Sequence, residues 1–154
     1  MKKEEYEVLF NIEDHYWWYV GLRELVLSSV DGLNKKKQDL RILDAGCVTG
    51  KMLEACKHHD IYGIDFSEEA IKYCKLRRLD NIVRGSICSL PFKNGSFDMV
   101  ISLDVLYHKD VEDDVITGWF NTLAIERLKM KSTRIKDRLL ELESETKGKA
   151  GVGS

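Results

Sequence analysis

Apolar positions in the first third of the chain recur at helical spacing. Between Glu4 and Leu33 they fall at Tyr6, Leu9, Phe10, Trp17, Trp18, Val20, Leu22, Leu25, Val26 and Val30, which suits a helical face better than strict alternation. The spacing predicts two helices, one on each side of Asp14. The pattern stops at Lys35, Lys36 and Lys37, which read as a solvated connection. Beyond it the period changes. Arg41-Ile42-Leu43-Asp44-Ala45 is a short apolar run ending in Gly46 and Gly50, and a helical pattern resumes from Lys51 to Lys57. The segment therefore reads as strand, tight turn, helix. Ile61 to Asp65 repeats the strand signal, and Ser67, followed by Glu68 and Glu69, is placed to cap a helix through Leu76. A third strand is signalled at Ile82-Val83-Arg84. A fourth, from Phe97 to Leu103, is nearly all apolar, as expected of a strand buried on both faces. Pro91 lies in the loop between them.

After Asp110 the character shifts again. Val111 to Phe120 suits a helix following the fourth strand. Thr122 to Glu145 is charged, but Leu123, Ile125, Leu128, Ile135, Leu139, Leu140 and Leu142 are spaced like one helical face, so an amphipathic helix is expected. Lys147 to Ser154 is glycine-rich and reads as a flexible tail. The expected organisation is a helical leader over residues 1–34, an α/β core over 38–120, an amphipathic helix over 121–146 and a tail over 147–154.

Composition narrows the function classes. The chain has 154 residues with 44% hydrophobic content, which suffices for one packed core. Its 24 basic and 26 acidic residues are interspersed, with a net charge of -2, so no overall field favours nucleic acid or an anionic membrane. The opening MKKEEYEVLF lacks the apolar region of a secretory signal, and no apolar run of about 18 residues occurs, so a cytoplasmic protein is the expectation. Cys47, Cys56, Cys74 and Cys88 show no CxxC spacing; they read as reduced and mostly buried thiols, and no metal site is expected.

The chemistry is concentrated where the first strand turns into its helix. In a doubly wound α/β sheet ligands lie at the carboxyl ends of the strands, and the first turn must let the ligand approach the backbone closely. Asp44 to Gly50 occupies that turn. Gly46 supplies a path without a Cβ, and Gly50 lets the following helix pack close. Asp44 is placed to bind an ammonium group, directly or through water. Asp65 ends the second strand about 20 residues downstream, where a carboxylate accepting both ribose hydroxyls belongs. The pairing of turn and carboxylate favours a nucleoside over a purely structural turn. A nicotinamide cofactor would call for a GxGxxG turn, which Gly46-Cys47-Val48-Thr49-Gly50 lacks.

These segments resemble, in order, the motifs of the class I S-adenosylmethionine-dependent methyltransferases, particularly the small-molecule group with a type 11 domain. They are Ile42-Leu43-Asp44-Ala45-Gly46-Cys47-Val48-Thr49-Gly50, then Tyr62-Gly63-Ile64-Asp65-Phe66-Ser67, then Leu90-Pro91-Phe92, then Phe97 to His108. His15-Tyr16-Trp17-Trp18 with Gly21-Leu22-Arg23 is similar to a leader helix in one subset of that family. The resemblance spans about Tyr6 to Asp114. It implies a Rossmann-like sheet of about four parallel strands, S-adenosylmethionine as cofactor and a small-molecule acceptor.

By that resemblance Asp44, Ala45, Gly46, Cys47 and Gly50 would line the methionine side, and Asp65 would hold the ribose. Phe66 and Ser67 would lie near the adenine, with Ser86 and Ile87 flanking it. Leu103, Asp104 and Tyr107 would border the transfer site, with His108 as the candidate base. A sulfonium methyl is already electrophilic, so a base is needed only where the nucleophile starts protonated. Trp17 and Trp18 are candidates to close over the site. Arg23 is a candidate partner for the cofactor carboxylate.

Three departures from the family pattern bear on activity. Val48 stands at the central motif glycine, where a β-branched residue is strained if the backbone must adopt positive φ. Ser86 stands where an acid often receives the adenine amino group, and its reach is shorter. No segment like RVLKPGG or the further strands follows the fourth-strand helix, and Trp119-Phe120-Asn121-Thr122-Leu123 resembles a stretch from the family's far end, as if the chain were shortened. The bare sheet edge is then expected to be covered by the amphipathic helix, a homodimer partner or another chain. A degenerate, non-catalytic cofactor-binding or interaction module is the alternative reading.

Overall fold

The computed structural model describes residues 1–34 and 39–103. The Lys35–Lys37 connection, the elements expected beyond Asp110, and Asp104, Tyr107 and His108 lie outside the described residues. The leader forms the two expected helices, α1 (Lys3–Ile12) and α2 (Trp17–Asn34). Glu4 and Glu5 sit in the first turn of α1, where negative charge complements the helix dipole. The Glu5 carboxylate also reaches back to accept the Lys2 backbone N–H at 2.7 Å, satisfying a donor that the helix cannot. Tyr6 stacks on Tyr73 with ring centroids 6.2 Å apart, and Phe10 meets the same ring at 5.1 Å, so α1 docks through aromatic contacts.

The core then alternates strand and helix: β1 (Arg41–Ala45), α3 (Lys51–Ala55), β2 (Asp60–Asp65), α4 (Glu68–Leu76), β3 (Ile82–Arg84) and β4 (Met99–Ile101). All pairings are parallel, and the strand order is β3-β2-β1-β4. The Rossmann-like four-strand sheet anticipated from the sequence is therefore present. Successive strands step outward from β1 to β3, and β4 then returns to the other side of β1. That reversal creates a crevice at the carboxyl ends of β1 and β4, the place where such sheets bind ligands.

Alternation along β1 divides the core between two faces. Ile42 joins Ile61, Ile101 and the α3 residues Met52 and Leu53, with Val30 of α2 packed beside them. Leu43 and Ala45 point the other way, joining Ile64 and Phe97. Each of these residues is buried, which is why the strand sequence reads as a continuous apolar run. Gly63 serves this packing, because a Cβ there would lie 2.6 Å from Leu53 Cδ1. A side chain at this position of β2 would force Leu53 and Cys47 to shift.

Two local expectations need correction. The fourth strand pairs only over Met99–Ile101, not from Phe97 to Leu103. At its start Asp98 adds a side-chain bond to a backbone one: its N–H donates to Arg41 O at 2.7 Å, and its carboxylate accepts the Arg41 N–H at 2.9 Å. At its end Ser102 donates its hydroxyl to Ala45 O at 2.9 Å. Side chains thus contribute to the hydrogen bonding on both flanks of the strand. Ser67 holds the N-cap position of α4, but its hydroxyl makes no cap bond. Asp65 takes the Ser67 backbone N–H instead, at 2.9 Å.

Candidate functional site

The turn from Gly46 to Gly50 is built on three left-handed residues. Gly46, Val48 and Gly50 have φ of 88°, 47° and 77°. Inside it, the N–H groups of Gly46 and Cys47 both reach Ile64 O, at 2.8 and 3.1 Å, and the Gly50 N–H reaches Cys47 O at 2.8 Å. Gly50 lacks room as well as conformational latitude, since a Cβ would meet Leu79 Cδ1 at 2.6 Å and Cys74 Sγ at 2.9 Å. The expected positive φ at position 48 is thus real, and a valine holds it.

Asp65 clamps this turn to the end of β2. One carboxylate oxygen accepts the Val48 N–H at 3.0 Å while the other accepts the Ser67 N–H. Each oxygen keeps further acceptor capacity, so the carboxylate is oriented without being used up. Asp44 differs. It is 3% exposed, and no side-chain hydrogen bond reaches its carboxylate among the described residues. Burial, reinforced by the nearby Asp65 charge, pushes its pKa up to about 7. A desolvated, unpartnered carboxylate on a cavity wall is a receptor for a cation.

The cavity it faces has a volume of about 1000 Å³. That is the upper end of the range for a site holding one drug-sized ligand, of order 300–1,000 Å³. One wall consists of Asp44, Gly46, Cys47 and Val48 with Asp65, Phe66 and Ser67; Ser86, Ile87 and Leu103 also line it. Phe66 is 76% exposed and so offers an open aromatic ring. Ser86 has its hydroxyl engaged by the Cys88 N–H at 3.1 Å. The opposite wall comes from the leader, through Val8, Leu9, Ile12, Tyr19 and Leu22.

The structure therefore gathers most of the sequence-derived residues around one space, but not all of them. Ala45 is fully buried and, with Gly50, lies behind the wall. Trp17 and Trp18 are 71% and 49% exposed and do not line the cavity. The face of α2 that does is Tyr19, Leu22 and Arg23, joined by i, i+3 and i+4 spacing. Arg23 lines the cavity while its Nη1 donates to Glu13 O at 2.9 Å. Cys47 and Cys74 approach to 3.9 Å between sulfurs, and that contact, with burial, pushes the Cys47 thiol far up in pKa. It is a packing thiol rather than a nucleophile.

Sequence reading missed two buried charged residues. Glu13 and Arg77 pair beside Thr49, and their side chains are each 6% exposed. Nothing in sequence marks them, because Glu and Arg are surface residues by default. Helical spacing also placed Val8 and Ile12 nowhere in particular, although they build the leader wall.

A parallel sheet with a ligand crevice at its switch point, a glycine turn and an acid ending the second strand defines a nucleoside-binding Rossmann-like domain. Within that class, the family model for the methyltransferase domain matches residues 43–124, just over half of the chain, and the chain belongs to this family. The chain is 33% identical over 72 residues to a tRNA (carboxymethyluridine) methyltransferase of Xenopus tropicalis, an alignment covering 47% of this chain and 11% of that protein. It is 29% identical over 97 residues to botryococcene C-methyltransferase of Botryococcus braunii, covering 56% and 26%. The chain thus spans a small part of the length of these relatives. The fold is shared with the crystal structure of a protein from Methanococcus maripaludis assigned as an S-adenosyl-L-methionine-dependent methyltransferase. The TM-score is 0.63 at 19% identity, over 79% of this chain and 59% of that one.

S-adenosylmethionine is the cofactor of this family, and the residues present fit it. The molecule carries an ammonium, a ribose diol and a flat base. The wall offers a buried carboxylate at Asp44 with no hydrogen-bond partner among the described residues, an oriented carboxylate with spare acceptor capacity at Asp65 and an exposed ring at Phe66.

Proposed function

We propose that the chain binds S-adenosylmethionine in this cavity and serves methyl transfer to a small-molecule acceptor. The observation that carries the reading is the buried carboxylate of Asp44, without a hydrogen-bond partner among the described residues, set in one wall with the clamped carboxylate of Asp65. In this reading Asp44 receives the ammonium, Asp65 accepts the two ribose hydroxyls and Phe66 and Ile87 flank the adenine. The bound cofactor supplies an electrophilic methyl, so the protein's task is chiefly to align an acceptor. The leader wall, with Val8, Leu9, Ile12 and Leu22, offers that acceptor an apolar surface and excludes water from the approach. Of the side-chain cations on the cavity wall, Arg23 donates to Glu13 O, and Lys51 pairs with Asp14 and Glu54.

Calorimetric titration of the full chain with S-adenosylmethionine and S-adenosylhomocysteine tests the reading. Binding is expected, with loss of at least about tenfold in Asp65→Ala, since a hydrogen-bonded charged acceptor is removed. No heat at millimolar ligand would end the proposal.

A further inference from the structure

The cofactor turn is held from two sides, and only one of them belongs to the sheet. On the other side stands Glu13, at the junction between α1 and α2, buried to 5% exposure. Both of its carboxylate oxygens lie within reach of the Thr49 hydroxyl, at 2.9 and 2.7 Å. Thr49 is itself 1% exposed and sits between the left-handed residues Val48 and Gly50. Its carbonyl accepts from Arg77 Nε at 2.9 Å, while Arg77 Nη2 pairs with Glu13 and Nη1 reaches Glu54 at 2.9 Å. The guanidinium also lies 4.4 Å from the centroid of the Phe10 ring on α1. Arg23 closes the junction by donating to Glu13 O. Leader, turn and the end of α4 therefore meet in one desolvated cluster.

We propose that Glu13 is a positioning residue: acting through the Thr49 hydroxyl, it lets the leader hold the Gly46–Gly50 turn in its cofactor-receiving shape. The physical need is local. A valine in the left-handed region costs on the order of 1–2 kcal/mol, so the turn is under pressure to relax at Val48 unless its neighbours are fixed. Asp65 fixes Val48 from the sheet side, and Glu13 fixes Thr49 from the leader side. The consequence is coupling. The same leader supplies the opposite wall of the cavity, so displacing it loosens the turn and weakens the cofactor, and cofactor binding reciprocally orders the leader. This rests on the functional reading above for its ligand, while the turn itself can be watched without one.

The test uses amide hydrogen exchange on the ligand-free full chain, comparing the parent with Thr49→Val and Thr49→Ser. Valine removes only the hydroxyl at nearly constant shape and leaves Glu13 paired with Arg77. Glu13→Gln serves as a second variant if Thr49→Val does not fold. Val48 and Gly50 N–H groups, which donate to Asp65 and to Cys47 O, are expected to exchange about tenfold faster in Thr49→Val. Exchange in the β1–β2 ladder stays at the parent value, and Thr49→Ser restores the turn. S-adenosylhomocysteine affinity falls by a similar factor. Unchanged exchange at Val48 and Gly50 in a folded Thr49→Val protein overturns the proposal. A loosened turn in a protein whose parent binds no S-adenosylhomocysteine upholds the positioning role and removes the functional reading instead.

Discussion

Val48 occupies a backbone conformation that β-branched residues avoid, at φ of 47°. Relief of that strain by Val48→Gly is partly offset by glycine's greater unfolded-state entropy, about 0.5–1 kcal/mol, leaving a net gain of up to about 1.5 kcal/mol. A thermal melt should show Tm rising by a few degrees; an unchanged or lower Tm would show that the turn holds valine without strain. Asp44 yields a prediction in pH. Its folded pKa of about 7 lies above the ordinary carboxylate value, so its contribution to stability is fully present below about pH 4 and is lost as pH rises through 7. Asp44→Asn should remove that dependence and raise ligand-free stability at pH 8 by up to ~4 kcal/mol, measured by urea unfolding. The same substitution should weaken an ammonium-bearing ligand. In the parent, binding such a ligand near pH 7 should release a proton, visible as a dependence of calorimetric enthalpy on the buffer. At this scale the sequence reveals which residues are acidic or glycine and where they fall along the chain. It does not reveal that, among the described residues, Asp44 lacks a hydrogen-bond partner while Asp65 has two, since that depends on which amides the turn presents.

At the scale of elements, the helices of the leader and the order strand-helix-strand-helix were legible from period and glycine placement. Ends were less so. α3 stops at Ala55, not Lys57, because Cys56 leaves helical dihedrals with φ of -98° and ψ of 14°. At the flanks of β4 the Asp98 carboxylate and the Ser102 hydroxyl bond to the backbone of β1, a matter of side-chain partners that apolar pattern cannot express. The packing of α3 and α4 against the turn gives a further test. Gly50→Ala would combine a left-handed backbone with a Cβ 2.6 Å from Leu79 Cδ1. Strain and overpacking together should cost about 2–4 kcal/mol, read as a fall in the urea midpoint at unchanged m-value. A loss under about 1 kcal/mol would mean that Leu79 and the turn relax freely.

For the whole molecule, a ligand that binds the folded chain and not the unfolded one raises its stability by mass action. S-adenosylhomocysteine at 100 times its dissociation constant should add about 2.7 kcal/mol and lift Tm by roughly 5–10 °C, and Asp65→Ala should cut the lift to about half or less at the same concentration. No shift in the parent at millimolar ligand would count against the cavity as the cofactor site. Sequence alone determined the class of fold, because buried parallel strands must be apolar throughout and must be separated by helices with their own period. It also pointed to the crevice that the proposed function assigns to a nucleoside, because a glycine turn after the first strand and an acid after the second are local requirements. Tertiary structure decided what faces that crevice. Trp17 and Trp18 look outward while Tyr19, Leu22 and Arg23 look in, a choice set by how α2 seats on the sheet. The pairing of Glu13 with Arg77 across 64 positions is likewise invisible along the chain. Burial and partnership are properties of neighbours in space, and a charged side chain carries no mark in sequence of the one it will meet.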